Sequence, residues 1–502
     1  MKSRLIFILL TAMFFRFYNF YELQYFSVDE EVLVATIRHI IWDRSPTLLV
    51  QNASLGFGLG PFYHYLLTPF FWFFNFSLVK LYLISSILGV ATTYLVFLSG
   101  KIIGGRKLAQ VASLVYAGSF LISLYDRRLY HLTLNSFLGA LSVFALLAVL
   151  KGKLRYIILL SLPVAFSFHS DASLVVLAIA IVLCFLIFKL AFKNRYFGIG
   201  ILILAIFAIP LVAAEFRYDH AVSRSVIQSL TRPLRGAAVS PANFAVYNPW
   251  GFIDVFSRVI LTKPSHFIEE QFCYCANPPT LFSPFGQILS IIILATSFAI
   301  TFKKGFTRDN LAIILWIMIG SFIFGIFVFN YIFKGNFHQH YFGTIFPVFA
   351  LIIGQVVVLI RNQKLLSGIL ALFLIVNAYI LVNSSIKYPL SDKINLVAES
   401  LDIIGQEKFS LYTSVDPYIE SGGWTELYTL QNHYPVKSYQ YDYWEWIYKA
   451  YSLYPGPIQN RDPERIVWIQ KADEPIQSAL PLMSKSSYED INIYIFDNSN
   501  DK

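Results

Sequence analysis

Immediately after the first apolar run, the segment SVDEEVLV sets Asp29 and Glu30 side by side. A carboxylate near a bilayer surface is costly unless it is paired or working, which makes the two acids functional candidates. The same pair would also suit the first turn of a helix, where the positive end of the dipole favours acids. A second charged group follows in SLYDRRLYHLTLN, where Asp126 precedes Arg127 and Arg128. Two guanidinium forks can grip anionic oxygens, while the plainer reading is an Asp126–Arg128 pair or a helix cap. Lys80 opens an apolar run, either as a cation for an anion or as a side chain snorkelling to the interface. His338 and His340, in GNFHQHYF, can donate hydrogen bonds to an anion. Two histidines alone make a thin case for a metal. His64 and His169, the latter near Asp171, sit at the ends of apolar segments and are candidates to line the same cavity.

Those residues are spaced by elements that only a membrane explains. The chain has 502 residues, 56% hydrophobic, 17% aromatic and 14% charged, whereas a soluble domain carries about 25% charged residues. Apolar runs near the ~20 residues a spanning helix needs recur along the chain. They cover Leu5–Phe15 and residues 78–100, 108–125, 130–150, 155–170, 172–192, 196–214, 285–302, 311–333, 341–360 and 366–384, eleven in all. Lys2 and Arg4 precede the first run. Basic residues then fall in alternate short connections: Lys101, Arg106 and Lys107; Lys151, Lys153 and Arg155; Lys193 and Arg195; Lys303, Lys304 and Arg308; Arg361 and Lys364. Cytoplasmic loops carry that bias, so the N-terminus is expected inside and the C-terminus outside. The first run lacks a small-residue cleavage site and reads as a retained helix.

This topology requires Gly60–Phe76, with Pro61, His64 and Pro69, to lie in the outer interface, where Trp and Tyr rings favour the headgroup level. Asp29–Asp43, with Val32, Leu33, Ile37 and Ile40 at helical spacing, reads as another interfacial helix. Two outer segments follow from the same assignment, residues 21–77 and residues 215–284. The second holds Pro233, Pro241, Pro249, Pro278 and Pro279 and is expected to be mostly irregular. From residue 385 the composition turns polar, with β-rich stretches at Phe409–Ser414, Val436–Tyr439, Arg465–Gln470 and Asn492–Phe496, which predicts a small outer α/β domain. The expected division is therefore 1–384 and 385–502. Cys184 in an apolar run reads as packing, and Cys273 and Cys275 set no disulfide framework. The +9 formal charge sits in loop clusters, which argues against nucleic-acid binding.

An acidic pair in the first outer loop followed by interfacial helices resembles the family 39 C-type glycosyltransferases, the protein O-mannosyltransferases and aminoarabinose transferases. GPFYHYLLTPFFWFFNFSLVKLYLISSILGVATTYLVFLSGKIIGGRKLAQVASLVYA is similar to the family's first conserved segment along its whole length. PVAFSFHSDASLVVLAIAI and GNFHQHYFGTIFP resemble its fifth-helix and late segments. The resemblance covers about residues 1–385 and rests on the motifs taken in order. It implies an α-helical polytopic membrane protein of the GT-C fold, in keeping with the eleven apolar runs and the interfacial helices; the C-terminal extracytoplasmic α/β domain adds little to it. It implies a membrane glycosyltransferase, and the lack of organelle signals is compatible with the plasma membrane of a prokaryote. A polyprenyl- or dolichyl-phosphate sugar would be the donor, and a protein, lipid or glycan the acceptor on the outer side. By position Asp29 would be the base, Glu30 would orient it or the acceptor, and Asp126 would assist. Arg127, Arg128, Lys80, His338 and His340 would hold the donor phosphate. No cofactor is fixed by the resemblance, and a divalent metal stays open.

A transporter or lipid flippase is the rival class. Transporters show two related halves or matching broken helices, and neither is legible here. Oligosaccharyltransferases carry a WWD-type motif; the nearest element, Tyr443-Trp444-Glu445-Trp446, lacks the aspartate.

Overall fold

The computed structural model describes every residue except 1, 43, 45, 52–57, 191–193, 232–248, 263–283, 306, 308, 332–338, 414–421, 439–462, 475–477, 479, 489–490 and 500–502. Helices occupy all eleven apolar runs. The first three helices are α1 (Lys2–Phe17), α2 (Val28–Trp42) and α3 (Phe62–Phe73). Next come α4 (Leu78–Gly118), α5 (Phe120–Arg127), α6 (Asn135–Leu150), α7 (Ile157–Phe166) and α8 (Val175–Ile187). The chain continues through α9 (Arg195–Arg217), α10 (Ala221–Thr231), α11 (Pro249–Ile260), α12 (Pro284–Lys303) and α13 (Ile313–Tyr331). A 3-10 segment, Gln339–Ile345, leads into α14 (Phe346–Val357), which is followed by α15 (Gln363–Val382). Among the described residues, five stretches are long and apolar enough to cross a membrane: Leu78–Gly118, Arg195–Arg217, Pro284–Lys303, Gln339–Val357 and Gln363–Val382.

The range given for α4 holds two helices, on the runs 78–100 and 108–125, that meet at a sharp break at Gly104 and Gly105. Gly105 adopts φ 77° and ψ −163°, a region essentially reserved for glycine. The helix ends again at Ser119, where an isolated break would strand the Phe120 N–H. The Asn377 side chain of α15 accepts that N–H at 2.9 Å, so this donor is satisfied despite the interruption.

Contacts divide the chain into two units. The first comprises Met1–Tyr18, Asn52–Tyr63 and Tyr82–Ser384. Its small residues let helices approach closely: a Cβ on Gly354 would lie 2.8 Å from that of Ala112, and one on Gly139 would lie 2.0 Å from the Thr344 carbonyl. Of the segment 215–284, expected to be mostly irregular, residues 232–248 and 263–283 lie outside the described residues, and the described parts include the helices α10 and α11. Pro249 stands at the start of α11, where its missing N–H costs nothing. Val255, Phe256 and Val259 of α11 are buried, and the Phe256 ring meets Phe349 of α14 at 4.8 Å. Prolines read as breakers thus include one that opens a helix. Cys184 is buried in α8. Cys273, Cys275 and Trp444 lie outside the described residues.

The second unit comprises Asn19–Gln51, His64–Leu81 and Ser385–Lys502. It adds α16 (Leu390–Ile404), β1 (Phe409–Thr413), α17 (Trp424–Leu430) and β2 (Lys437–Ser438). It ends in β3 (Arg465–Lys471), β4 (Leu482–Tyr488) and β5 (Ile491–Asp497). The sheet runs β2-β1-β3-β5-β4. β1 pairs parallel with both β2 and β3, and β5 pairs antiparallel with β3 and β4. Four of these strands fall on the expected stretches. β4 was missed because LMSKSSY has few β-branched residues; its pairing with β5 supplies the order that propensity does not.

At twelve residues α3 is too short to cross a bilayer. It buries Tyr63, Leu67 and Phe71 at four-residue spacing, while Leu66, Phe70, Trp72 and Phe73 face outward, as an interfacial helix requires. α2 departs from the expected surface helix, since every residue from Glu30 to Arg38 is buried. Tertiary packing has enclosed it: Glu31 accepts the backbone N–H groups of Gly423 and Glu426 at 3.0 and 2.8 Å. Arg38 forks onto Glu426 at 2.7 and 3.1 Å, and Lys393 donates to the Phe26 and Gly422 carbonyls.

Burial pushes the Glu31 carboxyl from 4.5 up to about 8, outweighing the two N–H donors and the nearby Lys393. An unfolded chain releases that proton near 4.5, whereas the fold keeps it to about pH 8. The group's contribution is therefore complete below about 4.5 and disappears as pH rises toward and past 8. The thermal midpoint of purified protein is expected to fall between pH 6 and 8.5, with a slope of up to about 1.4 kcal/mol per pH unit from this one proton. Glu31→Gln should flatten the slope; an unchanged pH profile would show that Glu31 is not its source.

Candidate functional site

Asp29 stands in the first turn of α2. The helix begins with Ser27, whose backbone N–H and hydroxyl both donate to Glu30 Oε2, at 3.0 and 2.6 Å. This is one arm of a capping box, with the third helical residue reaching back to the cap. Glu30 is fully buried, and Glu31 is held by the N-terminal N–H groups of α17. Asp29 alone of the three acids is part-exposed. The local sequence therefore spends Glu30 and Glu31 on architecture, with Asp29 part-exposed beside them. Ser27-x-x-Glu30 was the signal for the capping role of Glu30.

The Asp126 carboxylate lies in the other unit and is engaged by a residue that spacing did not suggest. Arg16, in the last turn of α1, donates to Asp126 Oδ2 from Nε at 3.0 Å and from Nη2 at 2.6 Å. The side chains are 0% and 3% exposed. Tyr116 adds its hydroxyl to Oδ1 at 3.1 Å. The rest of the guanidinium donates to the carbonyls of Ala117, Tyr116 and Ala12 at 2.9, 3.3 and 3.4 Å. α4 passes close enough that a Cβ on Gly89 would stand 2.5 Å from Arg16 Nε and 2.8 Å from Asp126 Oδ2. The paired reading of Asp126 holds, but the partner is Arg16 in place of Arg128. A lone arginine at the end of an apolar helix was the overlooked signal.

Arg127 and Arg128 diverge. Arg127 donates to the Tyr18 carbonyl at 2.8 Å, whereas the Arg128 guanidinium lies 4.2 Å from the Tyr130 ring centre. The His340 ring meets the same Tyr130 edge-on at 6.3 Å. A cation stacked on an aromatic face beside a part-exposed histidine can receive an anionic oxygen. His338 lies outside the described residues. Among them no three metal-ligating side chains converge.

His169 is a structural pin. Its Nε2 lies 2.8 Å from the Phe207 carbonyl, which fixes the proton there, and Nδ1 accepts the Phe62 N–H at 3.4 Å. Its ring packs against Phe62 and Phe207, and Gly60 passes so close that a Cβ would fall 2.1 Å from Nδ1. Asp171 accepts the Ser173 N–H at 2.7 Å, turning the chain into α8. His64 is buried, and Lys80 is exposed at the start of α4. Sequence reading also missed Arg258, buried in α11, which donates to Gln339 Oε1 at 2.9 Å.

Residues 59–213 match the family described as Dolichyl-phosphate-mannose-protein mannosyltransferase. The fold is similar to that of ArnT from Cupriavidus metallidurans bound to undecaprenyl phosphate, at TM-score 0.57 and 9% identity, covering 98% of this chain and 97% of that one. The apo state of that protein matches at TM-score 0.56 and 9% identity over the same shares. The archaeal oligosaccharyltransferase AglB from Archaeoglobus fulgidus, in complex with an inhibitory peptide and a dolichol-phosphate, aligns at TM-score 0.48 and 14% identity. That alignment covers 93% of this chain and 69% of the other. No curated protein matches the sequence significantly.

If Arg16 and Asp126 hold α1, α4 and α5 together, Arg16→Met or Asp126→Leu should each cost about 3–5 kcal/mol, the penalty for leaving one buried charge alone. The double variant should regain most of the loss in thermal unfolding of the detergent-purified protein. Single variants that melt with the wild type would remove this pair from the stability of the fold.

Proposed function

We propose that this chain is a membrane glycosyltransferase that takes a sugar from a polyprenyl- or dolichyl-phosphate donor and passes it to an acceptor on the extracytoplasmic side. The match of residues 59–213 to the mannosyltransferase family carries this reading. The part-exposed Asp29, beside two acids committed to the fold, supports it. In the proposed reaction Asp29 accepts the proton of the acceptor hydroxyl as that oxygen attacks the anomeric carbon. The bond from that carbon to the phosphate oxygen breaks, and the polyprenyl phosphate leaves with the electron pair. A single displacement inverts the anomeric centre. A phosphate is already a good leaving group, so cationic and hydrogen-bonding side chains replace a strong general acid. Arg128 and His340 are the proposed phosphate partners. Asp126, already bound to Arg16, is proposed as a positioning residue.

The test offers polyprenyl-phosphate mannose, glucose, galactose and aminoarabinose to purified protein in lipid and follows release of free polyprenyl phosphate. Asp29→Asn should lower turnover by about 10²–10⁴-fold, the range a general base supplies, while leaving the melting temperature near that of the wild type. Turnover by Asp29→Asn at the wild-type rate would move the base elsewhere. Release from none of the donors, with candidate acceptors present, would count against the reaction class.

A further inference from the structure

At the end of α1 far from Arg16, a cavity of about 820 Å³ opens between α1, the second half of α4 and the start of α15. Three of its lining residues are cations: Arg4, Arg106 and Lys107. Gln110, Gln363 and Ser367 add neutral hydrogen-bonding groups, and no acid lines it among the described residues. The remaining wall is apolar, with Phe7 and Ile8 of α1 facing Leu114 of α4 and Leu370 of α15. Its floor continues into packing among Ile8, Ala12, Leu114 and Ala117. Fixed geometry organises the charged rim. Lys107 donates to the Val358 and Ile360 carbonyls just past α14, both at 2.9 Å. Arg4 donates to Gln110 Oε1 at 3.3 Å. The first turn of α15, capped by Asn362, adds the positive end of a helix dipole.

We propose that this cavity is a binding site for an anionic phospholipid. Its phosphodiester sits among Arg4, Arg106 and Lys107, and its acyl chains lie along Phe7, Leu114 and Leu370. Charge and shape favour this occupant. A free anion would use the cationic rim and leave the apolar wall wet, and a zwitterionic lipid would bring a cation into a rim that already holds three. Arg4 and Arg106 belong to the basic clusters that the positive-inside pattern assigns to the cytoplasmic leaflet, where anionic lipids concentrate. Twelve residues of helix, about 18 Å, separate Arg4 from Arg16, so the site is distinct from the charged groups at the other end of the bundle. The volume lies within the range of small-molecule pockets.

The test uses the full chain purified in detergent, with bound lipid counted by native mass spectrometry and stabilisation followed by thermal shift. Phosphatidylglycerol is expected to remain bound and raise the melting temperature; phosphatidylcholine and inorganic phosphate are not. Arg4→Gln with Arg106→Gln should weaken phosphatidylglycerol binding by up to about thirty-fold, taking roughly 1 kcal/mol per cation near the surface. Lys107 is left intact because it holds the carbonyls beyond α14. Lys151→Gln with Lys153→Gln removes the same charge from an exposed turn and should leave binding unchanged. Equal retention of phosphatidylcholine, equal stabilisation by inorganic phosphate, or equal loss in both double variants would each overturn the proposal. A fold defect is separable, since the Arg4/Arg106 variant should match the wild-type melting temperature without lipid.

Discussion

A guanidinium and a carboxylate with almost no water contact constrain the first unit more than any apolar contact does. Removing each ion from water costs several kcal/mol even after relaxation, and only close pairing with the remaining donors satisfied offsets that cost. Arg16 meets the condition by placing five hydrogen bonds on Asp126 and on three carbonyls. Apolar side chains tolerate sliding and repacking; this arrangement does not. It fixes the rotation of α1, the depth of α5 and the approach of α4, whose Gly89 leaves the room the pair occupies. Ser86 of α4 adds a hydrogen bond to the Arg16 carbonyl at 3.2 Å.

The second unit relies on the same physics with different partners. Glu31, Arg38, Lys393 and Glu426 are all buried. Their hydrogen bonds run between Arg38 and Glu426, from Lys393 to the Phe26 and Gly422 carbonyls, and from the Gly423 and Glu426 N–H groups to Glu31. Gly423 in that turn has φ 94°, and a Cβ there would strike the Phe26 ring at 2.3 Å. A left-handed glycine thus lets the N–H groups converge on Glu31. α2 is held by direction-specific bonds as well as by its apolar surface, and Asp29 inherits a fixed place in its first turn.

The membrane-spanning architecture was legible because hydrocarbon imposes a length and charge rule that any spanning sequence must obey. The runs, the breaks between them and the shortness of α3 follow from that rule. Side-chain partnerships were not legible. Arg16 and Asp126 are 110 positions apart, and nothing local to either distinguishes pairing from catalysis. Glu30 and Glu31 look equivalent in DEE, yet one caps its own helix and the other seats a helix nearly four hundred residues later. α11 was obscured because proline was weighed as a breaker without asking whether it stood at a first helical position. β4 depends on its neighbour for order, which a strand-by-strand reading cannot see.

The break at Gly104–Gly105 bears on how the chain enters a bilayer. Gly100 and Ala109 would lie about 13 Å apart along a straight helix, yet a Cβ on Gly100 would stand 2.8 Å from the Ala109 Cα. The chain therefore doubles back within a few residues, and α4 is a helical hairpin with Lys101, Arg106 and Lys107 gathered at its tip. Inverting it would drag three cations through hydrocarbon, at about 2.5–3.5 kcal/mol for each at the centre. By that charge rule the hairpin tip is the end of α4 that resists crossing a bilayer.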